Sequence, residues 1–164
     1  MKGICTGIVI IGLAGLRCVA QTPTVQTFSG EQIGALQSVL KAQADASNGI
    51  GTRRLASYPG FYTMLIYRDR NGQVEIHQDF DEVVVVLQGQ ATLRTGGAPE
   101  NVRAIGPGEL RGTAATDAAS HLLSEGATVH IPANTPHQVF VPAGSHVVYV
   151  DVKIRHGVGE SARK

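Results

Sequence analysis

The sequence predicts an all-β protein, an antiparallel sandwich or barrel, preceded by one helix. From about Gly51 onward, short runs of β-branched and aromatic residues are separated by turn signals every ten residues or so. The helical periodicity lies in a single segment before those runs. The 164 residues fit one domain, and 20 glycines with 5% aromatic residues indicate a turn-rich chain whose core is aliphatic.

Residues 1–20 have the layout of a secretory signal peptide. Lys2 precedes an apolar stretch from Ile4 to Leu16, and Ala20 is a small residue at the expected cleavage site. The stretch is too short to span a bilayer comfortably, although an uncleaved anchor is the alternative interpretation. A lipid on Cys18 fits poorly because Arg17 directly precedes it. We therefore expect a periplasmic or secreted protein that leaves the membrane after cleavage.

Both cysteines, Cys5 and Cys18, lie in that segment, so the predicted mature chain has neither a thiol nor a disulfide. Removal of Lys2 and Arg17 from the 14 basic residues leaves 12 against 13 acidic ones, a formal net charge of −1. A balance so close to zero gives no broad basic surface, and no nucleic-acid partner is expected.

Residues 21–50 predict an extended lead followed by an amphipathic helix. Ser29 is a candidate N-cap, and Gln32 completes a weak capping box. Apolar residues then follow at helical spacing: Ile33, Leu36, Val39 and Leu40. We expect a helix from about Gly30 to Ala46 that covers one end or face of the domain.

Residues 51–155 predict the barrel, and residues 156–164 a C-terminal tail. Asn71-Gly72 is a strong hairpin signal, and a second hairpin is expected to turn near residues 88–90. Residues 101–125 predict only a weak strand and a long loop, because small residues dominate there.

A polar cluster directly precedes a run of four valines in "VEIHQDFDEVVVV". Glu75 and His77 share one face of a strand, because alternate residues of a strand point the same way. Glu82 opens the next strand, and far downstream His137 follows a proline-rich turn. A carboxylate and an imidazole on either side of a strand bend can converge on one ion.

These two stretches resemble the two motifs of the cupins, small double-stranded β-helix (jelly-roll) barrels. The first motif is His-x-His, three or four residues, Glu, six residues, Gly; here His77, Glu82 and Gly89 match it, and Glu75 replaces the first histidine. The second is Gly, five residues, Pro-x-Gly, two residues, His, three residues, Asn. Gly126, Pro132 and His137 match that motif, whereas Asn134 and Val141 replace its later glycine and its asparagine.

The resemblance implies a divalent metal held inside the barrel by His77, Glu82 and His137. Two imidazoles and one carboxylate with open positions suit Fe(II), and also Mn, Ni or Zn. Glu75 is expected to be a fourth ligand, a general base near the metal, or a sign that the metal has been lost. A homodimer is expected by analogy with the family.

Other polar side chains are weaker candidates. Asp79 has the parity of His77 and is an alternative carboxylate ligand, although a solvated turn is the simpler interpretation for it and for Asp81. His130 is a candidate catalytic group, either as acid/base or as a support for the ligands. Arg68 and Arg111 are candidates for holding an anionic substrate. The remaining residues of interest are expected to be surface histidines or core and rim tyrosines: His121, His146, His156, Tyr62, Tyr67 and Tyr149.

Three classes of function remain open. The first is a metal-dependent enzyme, an oxidoreductase, lyase or isomerase that acts on a small oxygenated molecule. The second is a metal-free acid/base enzyme, such as a dehydratase or epimerase, in which His77 or His137 exchanges a proton. The third is a non-catalytic module that binds a small ligand in the barrel. The chain has no nucleophile elbow, phosphate loop or dinucleotide fingerprint.

Overall fold

A computed structural model describes residues 25–156. The predicted signal peptide and most of the predicted tail lie outside these residues. One helix and twelve strands are described: α1 (Gly30–Asp45), β1 (Ile50–Tyr58), β2 (Phe61–Arg68), β3 (Val74–His77), β4 (Phe80–Thr95), β5 (Ala98–Pro99), β6 (Arg103–Gly106), β7 (Glu109–Gly112), β8 (Ala115–Thr116), β9 (Ala119–Ser124), β10 (Thr128–Ile131), β11 (His137–Phe140) and β12 (Val147–Arg155).

Ten strands form one curled antiparallel sheet in the order β1-β2-β12-β4-β11-β3-β7-β6, and β9 and β10 also pair with β4. The two short strands β5 and β8 pair separately. The prediction of an all-β antiparallel barrel with one N-terminal helix is confirmed. Among the described residues, no helix is long and apolar enough to cross a membrane.

Helix α1 begins as its sequence indicates. The Ser29 side chain accepts a hydrogen bond from the Gln32 backbone N–H at 3.2 Å, and the Gln32 side chain accepts one from the Ser29 N–H at 2.8 Å. The reciprocal bonds satisfy two N–H groups that the first turn leaves without a helical partner. Leu40 and Ala44 then pack on the outer face of the sheet against Leu65 of β2.

Alternation along the strands separates this outer face from the interior. In β12, Val148 packs toward the helix, whereas Tyr149 belongs to the interior cluster and Asp151 lines the interior cavity. The interior of the sheet therefore combines an apolar layer with a polar one. The apolar layer consists mainly of the buried residues Ile66, Val84, Val86, Leu93, Leu123, Ile131 and Val147.

The hairpin expected near residues 88–90 is instead one bent strand. The first half of β4 pairs with β12 and β10, and its second half pairs with β11 and β9. At the bend Gly89 has φ +77°, and a Cβ there would collide with the carbonyl oxygen of His146. The motif glycine thus lets a single strand change partners, which a sequence pattern with a central Gly does not distinguish from a turn.

The hairpin expected at Asn71-Gly72 is also wrong. Strand β2 pairs with β1 and β12, whereas β3 pairs with β7 and β11. The Asn71 side chain accepts a hydrogen bond from the Val141 N–H at 2.9 Å, and the Gly72 N–H donates to the Val139 carbonyl at 2.8 Å. The dipeptide therefore docks onto the end of β11, a long-range partner that local turn preference does not reveal.

Residues 101–125 are more ordered than predicted, because they contain β6, β7, β8 and β9. Strand β7 pairs with β3 in a register that places Glu109 opposite His77 and Arg111 opposite Glu75. This pairing brings two charged residues beside the polar cluster.

Candidate metal centre

Strands β3, β4 and β11 bring together the side chains that the two motifs indicate as candidate metal ligands. Glu75 and His77 alternate with Val74 and Ile76, so the polar pair faces the cavity while the aliphatic pair packs in a separate apolar cluster. Glu82 lies near the start of β4, and His137 begins β11 directly opposite Glu75. His77 is 5% exposed and His137 7% exposed, so both imidazoles are buried.

The ligand atoms of Glu75, His77 and His137 all lie within 4.8 Å of one another, which makes these three side chains a candidate metal site. His77 Nε2 lies 3.5 Å from Glu75 Oε2. Glu82 contacts the same two imidazoles: its Oε1 lies 2.9 Å from His77 Nε2, and its Oε2 lies 3.3 Å from His137 Nε2. The two carboxylates therefore adjoin the same pair of nitrogens.

Both imidazoles are oriented by hydrogen bonds from their other nitrogen. His77 Nδ1 lies 2.7 Å from Glu109 Oε2, and His137 Nδ1 lies 3.0 Å from the Thr135 carbonyl oxygen. Because a carbonyl oxygen only accepts, His137 Nδ1 donates, which leaves its Nε2 as the lone-pair nitrogen of the neutral ring, and His77 Nδ1 likewise faces an acceptor oxygen. This is the usual arrangement of metal-ligating histidines.

The cluster lies on the wall of a cavity of about 820 Å³. Apolar residues such as Met64, Ile66, Val84, Leu93 and Val139 supply much of the lining. The charged lining residues are four cations and four carboxylates: Arg54, Arg68, Arg111, Lys153, Glu75, Glu82, Glu109 and Asp151. A space of this size accommodates a small molecule beside the polar cluster.

Two arginines compensate the charge of Glu75. Arg68 Nη2 lies 3.2 Å from Glu75 Oε1, and Arg111 Nη2 lies 3.2 Å from Glu75 Oε2. Burial by itself would raise the pKa of Glu75, but the adjacent His77 imidazole and the charges of Arg111 and Arg68 bring that pKa well below its usual range. Glu75 is thus a carboxylate at neutral pH, the form that binds cations.

Burial lowers the pKa of His137, so its imidazole is neutral at physiological pH. Neutral imidazole is the form that binds a metal. Burial also changes two groups on β12: it raises the pKa of Asp151 to about 7 and lowers that of Lys153 to about 7. Lys153 forms a buried ion pair with Glu82, and its Nζ lies 3.6 Å from Asp151 Oδ2.

The residues present fit a bound cation. His77 Nε2 is buried without a hydrogen-bond partner among the described residues, since the nearby carboxylate oxygens lie outside hydrogen-bond geometry. Leaving such an atom unpaired costs free energy unless a ligand fills the position. Two imidazole nitrogens and a carboxylate oxygen are a donor set that first-row transition metals accept.

The structure places the other candidate residues away from this centre. His130 is exposed, because the alternation of β10 turns Ile131 into the core and His130 outward, so the expected catalytic role has no structural support. Asp79 is exposed in the bend between β3 and β4. Asp81 accepts a hydrogen bond from the Ala133 N–H at 2.7 Å, as a capping residue does.

Three expected surface histidines lie outside the cavity lining. His121 is exposed and lies 2.9 Å from Thr95 Oγ1, and His156 is exposed and lies 3.3 Å from Asp81 Oδ2. His146 stacks on Tyr67 with ring centroids 5.4 Å apart. Tyr62 and Tyr149, in contrast, line the cavity.

Sequence reasoning missed Glu109, Asp151 and Lys153, which all line the cavity. Glu109 lies in the segment predicted to be mostly loop. Asp151 and Lys153 alternate with Val150, Val152 and Ile154 in the last strand. That alternation of charged and aliphatic residues is the signal that could have identified them, but it is equally typical of an amphipathic strand whose polar face is exposed to solvent.

Comparison with known proteins gives a consistent view of the fold. No protein-family model matches the sequence, and no curated protein matches it. A recombinant oxalate oxidase in complex with glycolate superposes with a TM-score of 0.50 at 15% identity, over 68% of this chain and 54% of that one. KdgF from Halomonas sp. gives 0.49 at 19% identity, over 69% and 86%. A cupin-like protein from Thermotoga maritima gives 0.48 at 12% identity, over 65% and 69%.

At such identities the similarity concerns the fold alone. The oxalate oxidase is matched over about half of its length. The shared architecture agrees with the order and spacing of the two motifs around His77, Glu82 and His137. The chain therefore has the fold of the cupin superfamily, as its two motifs predicted.

Proposed function

We propose that the barrel cavity binds one divalent transition metal through Glu75, His77 and His137 and that it acts on a small oxygenated molecule held beside that metal. The observation that carries this proposal is the convergence of three ligand atoms within 4.8 Å of one another on the wall of the cavity. Fe, Mn, Ni and Zn all accept this donor set.

The proposed ligand set differs in its carboxylate from the set that the motifs implied: Glu75 takes the place of Glu82. Glu75 replaces a histidine in the first motif, yet it faces the same cavity and Arg68 and Arg111 hold it in place. Glu82, the motif carboxylate, is instead paired with Lys153. We assign the carboxylate ligand to Glu75 because one of its oxygens converges with the ligand nitrogens of His77 and His137 within 4.8 Å.

The protein's own residues orient and shield the centre. Glu109 and the Thr135 carbonyl fix the two imidazole rings, and aliphatic side chains line much of the cavity wall. A bound divalent ion supplies a Lewis acid that polarises an oxygen atom of the substrate. Glycolate, which the oxalate oxidase structure holds, is a small hydroxy acid and represents the class of molecule proposed here.

The buried pair of Lys153 and Glu82 favours a second candidate, a metal-free acid/base enzyme. In that case the cavity already carries its own cation, and His77 or His137 exchanges a proton with the substrate. The two candidates differ in one measurable property, since only the first binds a transition ion stoichiometrically.

We further propose that the protein acts in the periplasm or after secretion, and that it is a homodimer. The support for location is the signal-peptide pattern of residues 1–20. N-terminal sequencing of protein recovered from outside the cytoplasm is expected to begin at Gln21. A chain that retains residues 1–20 would contradict cleavage at this site. Light scattering of the mature protein measures the oligomeric state.

The ligand assignment is tested by titrating metal-free protein with Mn, Fe(II), Ni and Zn. Glu75→Gln is expected to weaken binding of the preferred ion by tenfold or more, since an amide oxygen carries no charge. Glu125→Gln, in an exposed turn, is the matched control and is expected to bind as the wild type does. Equal affinities for Glu75→Gln and the control would exclude Glu75 as a ligand.

A further inference from the structure

The carboxylate of the first motif, Glu82, forms an ion pair with a lysine on the neighbouring strand. Glu82 on β4 and Lys153 on β12 are directly paired in register, and their side chains form an ion pair inside the barrel. Glu82 is 4% exposed and Lys153 is 6% exposed. The pair is therefore part of the interior of the protein and is little screened by solvent.

Burial of the Lys153 ammonium costs free energy, which its contacts must offset. Removing an ammonium group from water is unfavourable unless an opposite charge accompanies it. The carboxylates in contact with Lys153 are Glu82 and, at 3.6 Å, Asp151. In its protonated form Lys153 thus supplies one positive charge at a carboxylate that adjoins both ligand histidines.

The same oxygen that meets Lys153 also faces the proposed metal ligands. Glu82 Oε1 pairs with Lys153 and lies 2.9 Å from His77 Nε2. An ion bound to His77 and His137 and the Lys153 ammonium would compete for this carboxylate, because both are cations. Glu75 is also contacted by cations, Arg68 and Arg111, but it lies in the group whose ligand atoms converge.

We propose that Lys153 is a positioning residue that holds Glu82 out of the metal's ligand set. This inference rests on the proposed function. With Glu82 withheld, three side chains hold the ion and leave positions open for substrate, whereas a fourth protein ligand would begin to close the site. Catalytic metal sites generally keep such an open position, and structural sites do not.

The test is the affinity of Lys153→Met for the preferred divalent ion, measured by competition with a chromophoric chelator. Removal of the ammonium frees Glu82 to bind the ion, and we expect Kd to fall on the order of tenfold or more. Lys153→Arg preserves the charge and is expected to retain the wild-type Kd. The relaxation of water protons by bound Mn is expected to fall in Lys153→Met, since Glu82 displaces a coordinated water.

Glu82→Gln separates this effect from a general change in the cavity. In the wild-type background it is expected to change Kd less than threefold, whereas in the Lys153→Met background it is expected to abolish the gain. Lys153→Gln, which can still donate to Glu82, is the second variant if Lys153→Met does not fold, and it is expected to shift Kd in the same direction. Thermal unfolding of each metal-free variant checks the fold.

The failure of this inference and that of the proposed function give different results. If the wild type binds the ion and both Lys153→Met and Lys153→Gln have an unchanged or higher Kd, Lys153 does not withhold Glu82, but the metal site stands. If only the lysine variants bind the ion, Lys153 does withhold Glu82, and the proposed function of the wild type is wrong. If Glu82→Gln in the wild-type background weakens binding as much as Glu75→Gln does, Glu82 is already a ligand and the inference is overturned.

Discussion

Replacement of Glu109 by glutamine tests how the site orients its ligands. The Glu109 carboxylate accepts the hydrogen bond of His77 Nδ1 at 2.7 Å, which directs His77 Nε2 toward Glu75 and Glu82. A hydrogen bond to a charged partner contributes about 1.5–3 kcal/mol and a neutral one about 0.5–1.5 kcal/mol. The difference of about 1–1.5 kcal/mol corresponds to a metal affinity that is about five- to thirteenfold weaker in Glu109→Gln.

The assay is chelator competition at pH 7 with wild type, Glu109→Gln and the exposed control Glu125→Gln. Histidine ¹⁵N spectra of the metal-free proteins supply an independent readout, since the structure predicts that His77 of the wild type carries its proton on Nδ1. The side chain of Glu109 is 28% exposed, so the substitution is expected to leave the fold intact. An affinity within twofold of the wild type, with the tautomer of His77 unchanged, would refute the proposed role of Glu109.

Three further predictions concern the ligands, the cavity and the bend of β4. Because the pKa of Asp151 is raised from 3.8 to about 7 in the folded protein, folding becomes less favourable as the pH rises through this interval. In urea unfolding, Asp151→Asn is therefore expected to gain stability relative to the wild type as the pH rises from 4 to 7. A difference in unfolding free energy that does not change with pH would contradict the raised pKa of Asp151. Gly89→Ala is expected to lose more than about 1 kcal/mol of unfolding free energy, because the left-handed backbone and the His146 carbonyl both oppose a Cβ. An unfolding free energy equal to that of the wild type would contradict this constraint on a Cβ at Gly89. His77→Ala is expected to abolish metal binding in a domain that remains folded by circular dichroism, and full occupancy would remove His77 from the ligand set.

Much of the fold and part of the site follow from local pattern. The spacing from His77 through Glu82 to Gly89, followed by Gly126, Pro132 and His137, is sufficient to predict the barrel. The capping box at Ser29 likewise predicts where α1 begins. Such features depend on residues a few positions apart, and therefore remain visible in one sequence.

The environment of the motif residues depends on strand pairing instead. Glu109 reaches His77 because β7 pairs with β3, and Lys153 reaches Glu82, 71 positions away in the sequence, because β12 pairs with β4. Neither register can be read from hydrophobic alternation, since alternation defines a face and not a partner. The same limit explains why the bend at Gly89 resembled a hairpin turn in the sequence.

The most direct test of the central claim is elemental analysis of the mature protein, purified without a chelator or a histidine tag. We predict a stoichiometric transition ion in the wild type and in the exposed control His121→Ala, and its loss in His137→Ala. An ion retained in His137→Ala would contradict the assigned ligands. A wild-type protein that takes up no ion even after reconstitution would contradict the metal centre itself.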